Sequence, residues 1–159
     1  GLLRYGKEHG IYLGTTITAF LLAGKRFFVW HVGDSRLYKI SSSKIFRLTN
    51  DHTVIAKEIA EGRLTEKEAK KDPRRNVLLQ CIGATSDVNP DMFCGEVEKG
   101  DILLLCSDGF RHEISEKEIL NMLLKCENSK FNEKLRELID LNLKRKELDN
   151  ISVALVKVQ

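Results

Sequence analysis

Gly100-Asp101-Ile102-Leu103-Leu104-Leu105-Cys106-Ser107-Asp108-Gly109 places an unbroken apolar run between a turn signal and a polar stop. Consecutive apolar residues without polar alternation describe a strand buried on both faces. Such a strand carries whatever follows it, here Ser107-Asp108-Gly109, to the end of a sheet. Met92 to Val97 reads as a neighbouring strand just upstream. Further back, Ile11 to Leu22, Arg26 to Val32 and Arg36 to Ile40 are rich in β-branched, aromatic or aliphatic residues. They close on Gly-Lys, Gly-Asp and Ser-Ser-Ser signals, as strands do. Lys44 to Leu48 adds a short fourth, and the direct connections predict an antiparallel meander.

Helices fill the remaining stretches. Gly1 to Gly10 reads as the tail of a helix stopped at His9-Gly10. From Asn50 to Pro90 the chain turns polar and helical, with Thr65 and Glu68 spaced as a capping box, and this stretch is expected to form a surface flap. Ser115 and Glu118 open a further helix with Ile119, Leu120, Leu123 and Leu124 on one face. Asn132 to Lys144 repeats that pattern with Leu135, Leu138, Ile139 and Leu143. After Asp149-Asn150, the alternation of Ile151, Val153 and Leu155 marks a last strand. No repeat, low-complexity segment or linker interrupts the chain, so residues 1–159 are expected to form one domain.

Composition narrows the class of protein. A hydrophobic fraction of 42% beside 31% charged residues is ordinary for a globular chain and unlike a disordered one. The net charge of +3, from 26 basic and 23 acidic residues, is too small and too evenly spread to argue for nucleic acid or membrane binding. No run approaches the ~20 apolar residues that cross a bilayer, and the expected location is the cytoplasm. Cys81, Cys94, Cys106 and Cys126 lack metal-ligand spacing and are expected to be reduced, buried thiols.

Three aspartates stand at strand ends: Asp34 in Gly-Asp-Ser-Arg, Asp108 in Ser-Asp-Gly and Asp149 in Asp-Asn. Carboxylates gathered at neighbouring strand ends suit Mg²⁺ or Mn²⁺, hard cations that take oxygen ligands and keep several waters. Each taken alone is equally a turn residue.

The order of motifs adds a second argument. Gly14-Thr15-Thr16, then His31-Val32-Gly33-Asp34-Ser35-Arg36, then Leu48-Thr49-Asn50-Asp51-His52-Thr53 resembles the metal-dependent protein phosphatases, the PPM or type 2C-like family, in its bacterial form. The resemblance continues through Pro73-Arg74-Arg75-Asn76-Val77-Leu78, Ile82-Gly83, Gly100-Asp101, Leu104-Leu105-Cys106-Ser107-Asp108-Gly109 and Asp149-Asn150-Ile151-Ser152. It implies an α+β fold, a layered α-β-β-α sandwich of two antiparallel sheets flanked by helices. It also implies a binuclear Mg²⁺ or Mn²⁺ centre, with Asp108 and Asp149 on one core ion and Asp34 with Asp108 on a third ion found in bacterial members. Asp108 and Asp149 would act in catalysis through metal-bound water. The implied reaction is hydrolysis of phosphoserine and phosphothreonine in proteins, with kinase substrates or a kinase as partners.

One family motif has no match: an apolar strand ending in Asp-Gly and followed by Met-Gly-Gly, whose aspartate bridges the core metals. Arg4, Arg26 and Arg36 carry no motif that would make any of them the family's phosphate-gripping arginine. The expectation is therefore a fragment lacking the first strands, weakly active or inactive alone. Exposed sheet edges would invite a homodimer. The alternative from another class is a non-catalytic interaction or regulatory domain that keeps the fold.

Other chemically suggestive residues have plainer readings. His31 reads as a structural strand position, His52 as an anchor of the flap, and His112 as a residue without supporting neighbours. Trp30 and the Phe27-Phe28 pair read as core. The basic run from Lys70 to Arg75 reads as a solvated flap surface; a phosphopeptide contact is its natural role if it binds anything. Nucleic acid is not expected, because no aromatic interleaving accompanies the charge.

Overall fold

Glycine 10 stops the first helix as the sequence requires. The computed structural model, which describes residues 1–84 and 87–159, has α1 at Leu2–His9 with Gly10 in the left-handed conformation (φ 65°) and its N–H returned to the Gly6 carbonyl. Thr85 and Ser86 of the expected flap lie outside the described residues.

The strands that follow are β1 (Ile17–Ala23), β2 (Arg26–Val32), β3 (Arg36–Ser41) and β4 (Lys44–Arg47). They do not form a meander. β1 and β2 make one antiparallel hairpin and β3 and β4 another, and the two belong to different sheets. The chain leaves the first sheet at Gly33 (φ 118°), where a side chain would collide with Thr16. After α2 (Val54–Ala60) and α3 (Glu66–Ala69) come β5 (Asp91–Glu96), β6 (Ile102–Cys106), α4 (Asp108–Arg111), α5 (Glu116–Leu123), α6 (Phe131–Lys144) and β7 (Val153–Lys157). The sheets run β1-β2-β5 and β4-β3-β6-β7. The fold is thus α+β with two antiparallel sheets and helices, as expected.

The described residues gather into two compact units, each drawn from two stretches of sequence: Gly1–Asp34 with Asn50–Gly95, and Ser35–Thr49 with Glu96–Gln159. In the first, Phe27, Val29 and His31 lie on the buried side of the sheet. Gly95 lets the Phe27 ring close in, since a Cβ there would sit 2.6 Å from it. The opposite side carries Ile17, Leu21, Trp30 and Met92 in exposed positions. Trp30 is therefore not a core residue, being 38% exposed where Phe27 is 4%. Cys94 lies on the same exposed side, because alternation along β5 turns it outward. Of the four thiols, all free, only Cys106 is buried.

The second unit holds the larger apolar core. Tyr38, Ile40, Ile102, Leu104 and Cys106 from β3 and β6 pack against Phe110, Ile114, Ile119, Leu123, Phe131, Leu135 and Leu138 from the helical side. Leu37 and Leu103, pointing the other way, are equally buried, so β6 is covered on both faces as its composition demands. Both predicted capping boxes are formed, at Thr65/Glu68 and Ser115/Glu118. Glu118 also takes the Arg145 guanidinium at 2.6 Å, tying the end of α6 to the start of α5. That bond, with the Ser115 contacts, pulls the Glu118 carboxyl down to about 2. Among the described residues no helix is long and apolar enough to cross a membrane.

Candidate functional site

β6 ends on Cys106, and Ser107-Asp108-Gly109 turns the chain into α4. β7 begins at Val153, paired with Cys106, so the segment that precedes β7 has to run beside that turn. Ser107 joins the two: its N–H donates to the Ser152 carbonyl at 2.9 Å. Its hydroxyl accepts the Ser152 N–H at 3.0 Å and donates to the Asn150 carbonyl at 3.2 Å. Gly109 allows the approach, because a Cβ there would lie 2.6 Å from the Asn150 oxygen and 3.3 Å from the Asp149 Cβ. Asp108 and Asp149, 41 residues apart in sequence (149 − 108), thus sit on adjoining backbone.

Each carboxylate is set by its own turn. Asp108 Oδ1 accepts the Gly109 N–H at 2.9 Å, and Asp149 Oδ1 accepts the Asn150 N–H at 2.7 Å. Both groups retain free acceptor capacity, since a carboxylate offers about four lone-pair sites.

His112, one turn along α4 from Asp108, does have partners, contrary to the sequence reading. Its Nε2 lies 3.7 Å from Asp108 Oδ2 and its Nδ1 lies 3.2 Å from Glu147 Oε2. Glu147 is buried, and its Oε1 accepts the N–H groups of Leu148 and Asp149, both at 2.9 Å. Asn142, fully buried on α6, holds the same region: its side-chain amide N–H donates to the Phe110 carbonyl at 2.9 Å, and its main-chain carbonyl accepts the Glu147 N–H at 3.1 Å. No spacing rule in a single sequence announces a contact between His112 and Glu147.

Asp34 belongs to the other compact unit, at the turn after β2. There His31 is structural, as expected. Its Nε2–H donates to the Asn50 carbonyl at 3.0 Å, which leaves Nδ1 to accept from the Thr18 hydroxyl at 2.8 Å. Burial, and next the neighbouring His52, hold its pKa below the ordinary value. His52 ties its own segment to the turn after β2 and to β5. Its Nδ1 accepts the Gly33 N–H at 3.2 Å, which puts the proton on Nε2, facing Asp91 at 3.2 Å. In the basic run, Arg74 is engaged by Asp72 through two bonds of 3.0 and 2.8 Å, which fits a solvated surface better than a poised phosphate clamp.

The donor chemistry of Asp108 and Asp149 fits a hard divalent cation that keeps most of its waters, as Mg²⁺ does when held by one or two carboxylates. Among the described residues no group of three or more His, Cys, Asp or Glu side chains is arranged to enclose a metal. Two carboxylates on adjoining backbone are the donors this geometry offers.

No family model matches the chain. Individual proteins do. It is 39% identical over 146 residues to a protein named as a protein phosphatase 2C-type from Streptococcus pyogenes serotype M6, covering 91% of this chain and 58% of that protein. It is 34% identical over 146 residues to the serine/threonine protein phosphatase PstP of Mycobacterium tuberculosis, covering 92% of this chain and 28% of the relative. Among solved structures, the serine/threonine phosphatase of S. agalactiae superimposes with a TM-score of 0.91 at 35% identity, over 99% of this chain and 65% of that one. The catalytic domain of PstP in complex with two manganese ions gives 0.84 at 30% identity, over 99% and 66%. The chain therefore spans 58% of the length of the streptococcal relative it matches.

Proposed function

We propose that this chain, which belongs to the metal-dependent protein phosphatase (PPM, type 2C-like) family, carries the Asp108 and Asp149 part of a site that hydrolyses phosphoserine and phosphothreonine in proteins. The observation that supports the reading is the doubly hydrogen-bonded contact of Ser107 with Asn150 and Ser152, which brings the two aspartate segments side by side. Asp108 and Asp149 would hold Mg²⁺ or Mn²⁺. Asp34, which belongs to the other compact unit, is a further proposed metal ligand. When bound, divalent cations supply an acidified water and offset charge on the phosphoryl oxygens. Gly109 keeps the two segments close, and Ser107 fixes their register.

The reading extends to the whole chain as one phosphatase-type domain with a flap over residues 50–90, placed in the cytoplasm and acting on kinase substrates or on a kinase. Because the matched relatives are longer, turnover by these 159 residues alone is expected to be low. The test is Mn²⁺-dependent release of phosphate from a phosphothreonine peptide, with Asp108→Ala and Asp149→Ala as controls. Loss in both supports the reading, and unchanged turnover in either removes that residue from it.

A second reading is a non-catalytic interaction domain of the same fold, in which the Ser107 contacts with Asn150 and Ser152 serve as scaffold alone. Phosphopeptide binding without any metal-dependent turnover would select it. Pairing through the outer strands β1, β5, β4 or β7 would give a homodimer. Sedimentation showing monomer at every concentration would exclude that assembly.

A further inference from the structure

We infer that Glu147 and His112 form a positioning pair that fixes Asp149 against Asp108 and thereby sets the chain's affinity for divalent metal. The inference rests on the metal reading above and adds residues that the reading does not use.

Burying a carboxylate is costly unless it is paired and hydrogen-bonded. The Glu147 side chain is only 5% exposed, and an unpaired charge there would be expensive. Its partners make the burial tolerable, and both lead to the candidate site. Oε1 accepts the main-chain N–H of Leu148 and of Asp149 itself, curling residues 147–149 around one oxygen. Oε2 meets His112 Nδ1 at 3.2 Å, and the far nitrogen of that ring faces Asp108 Oδ2 at 3.7 Å.

The Asp149 segment is thus held from two sides. On one, Ser107, the residue before Asp108, bonds Asn150 and Ser152. On the other, His112, one helical turn after Asp108, bonds the carboxylate that bonds Asp149. Leu148 is 96% exposed and makes no apolar anchor for this loop, so Glu147 is what ties its leading edge to buried structure. A ligand carboxylate has to be held to within about 0.5 Å of productive geometry. Groups that orient metal ligands commonly change metal affinity by about 10–100-fold when removed.

The test is a Mn²⁺ titration of the 159-residue chain followed by electron paramagnetic resonance, with urea unfolding of the metal-free protein measured alongside. Glu147→Ala is expected to weaken Mn²⁺ binding by about 10–100-fold in protein that is still folded. Glu147→Gln should recover most of the loss, because an amide oxygen still accepts both N–H groups. A purely structural role predicts instead a lower urea midpoint with wild-type Mn²⁺ affinity. That result would overturn the inference provided Asp149→Ala does lose the metal. If Asp108→Ala and Asp149→Ala both bind Mn²⁺ as wild type does, the metal reading itself fails and the inference falls with it. Should Glu147→Ala not fold, His112→Gln decides the matter: about tenfold weaker binding supports the pair, and wild-type affinity overturns it.

Discussion

Gly109→Ala is a small change aimed at the one close approach the candidate site requires. Gly109 is needed for space rather than for backbone freedom, since it is not among the glycines of positive φ. The added methyl would lie 2.6 Å from the Asn150 carbonyl oxygen and 3.3 Å from the Asp149 Cβ. Against that stands a helix-propensity gain of at most about 1 kcal/mol for alanine over glycine, reduced here because α4 is four residues long. Overpacking costs about 1–3 kcal/mol. The obstructing atom is main chain, already bound by Ser107 at 3.2 Å, so it cannot swing aside as a flexible side chain would. The upper half of the range applies, and the net loss should be about 2 kcal/mol. At roughly 2–4 °C per kcal/mol for a chain of this size, Tm should fall by about 4–8 °C. Urea and thermal unfolding measure it, with exposed Lys25→Ala as a control that should stay within about 0.5 kcal/mol of wild type. Gly109→Ala protein as stable as wild type, or more so, would mean that the Asp108 and Asp149 segments do not touch as described.

Other outcomes follow from single contacts. Ser107→Ala removes one accepted and one donated bond between the same segments and should cost about 1–2 kcal/mol in urea unfolding; no loss would contradict the cross-tie. The β3–β4 turn holds Ser42 and Ser43 at φ 49° and 65°, the backbone of a primed two-residue hairpin turn that favours Asn-Gly. Ser42→Asn combined with Ser43→Gly should therefore stabilise by about 1 kcal/mol, and a destabilised double variant would count against this turn. His31 has its pKa lowered by burial from the ordinary 6.5, so on acidification the unfolded chain takes up the proton first. The stability of neutral His31 is complete above about pH 6.5 and declines as pH falls below it. Urea midpoints should drop between pH 7 and 5.5, with a flatter slope in His31→Gln; an equal slope would refute the assignment.

Features set by local chemistry were legible in the sequence. Gly10 stops α1, and Thr65 with Glu68 and Ser115 with Glu118 start helices, because caps are decided within four residues. The Ile102–Cys106 run announced its burial by composition alone. Strand partners were not legible in the same way. The short Gly33-Asp34 connection suggested a hairpin neighbour, yet β2 pairs with β1 and β5 while β3 pairs with β4 and β6. That choice depends on surfaces supplied by distant residues such as Phe110 and Leu138. Trp30 and Cys94 were misread because a strand shows which residues share a face but not which face is covered. At the candidate site, Asp108 and Asp149 were singled out by their position at strand ends and by the order of motifs, and the structure places their segments side by side. Glu147 and His112 were invisible because their contact exists only after α4 and the end of α6 are brought together by Asn142 and the core around it.

The most direct test of the central claim is an anomalous-difference map at the manganese edge, from crystals of this chain grown with Mn²⁺. The expected result is a peak touching a carboxylate oxygen of Asp108 and one of Asp149, at about 2.1 Å as for a hard octahedral cation. Ordered carboxylates turned apart, with manganese absent from the space between them or bound elsewhere on the chain, would contradict it.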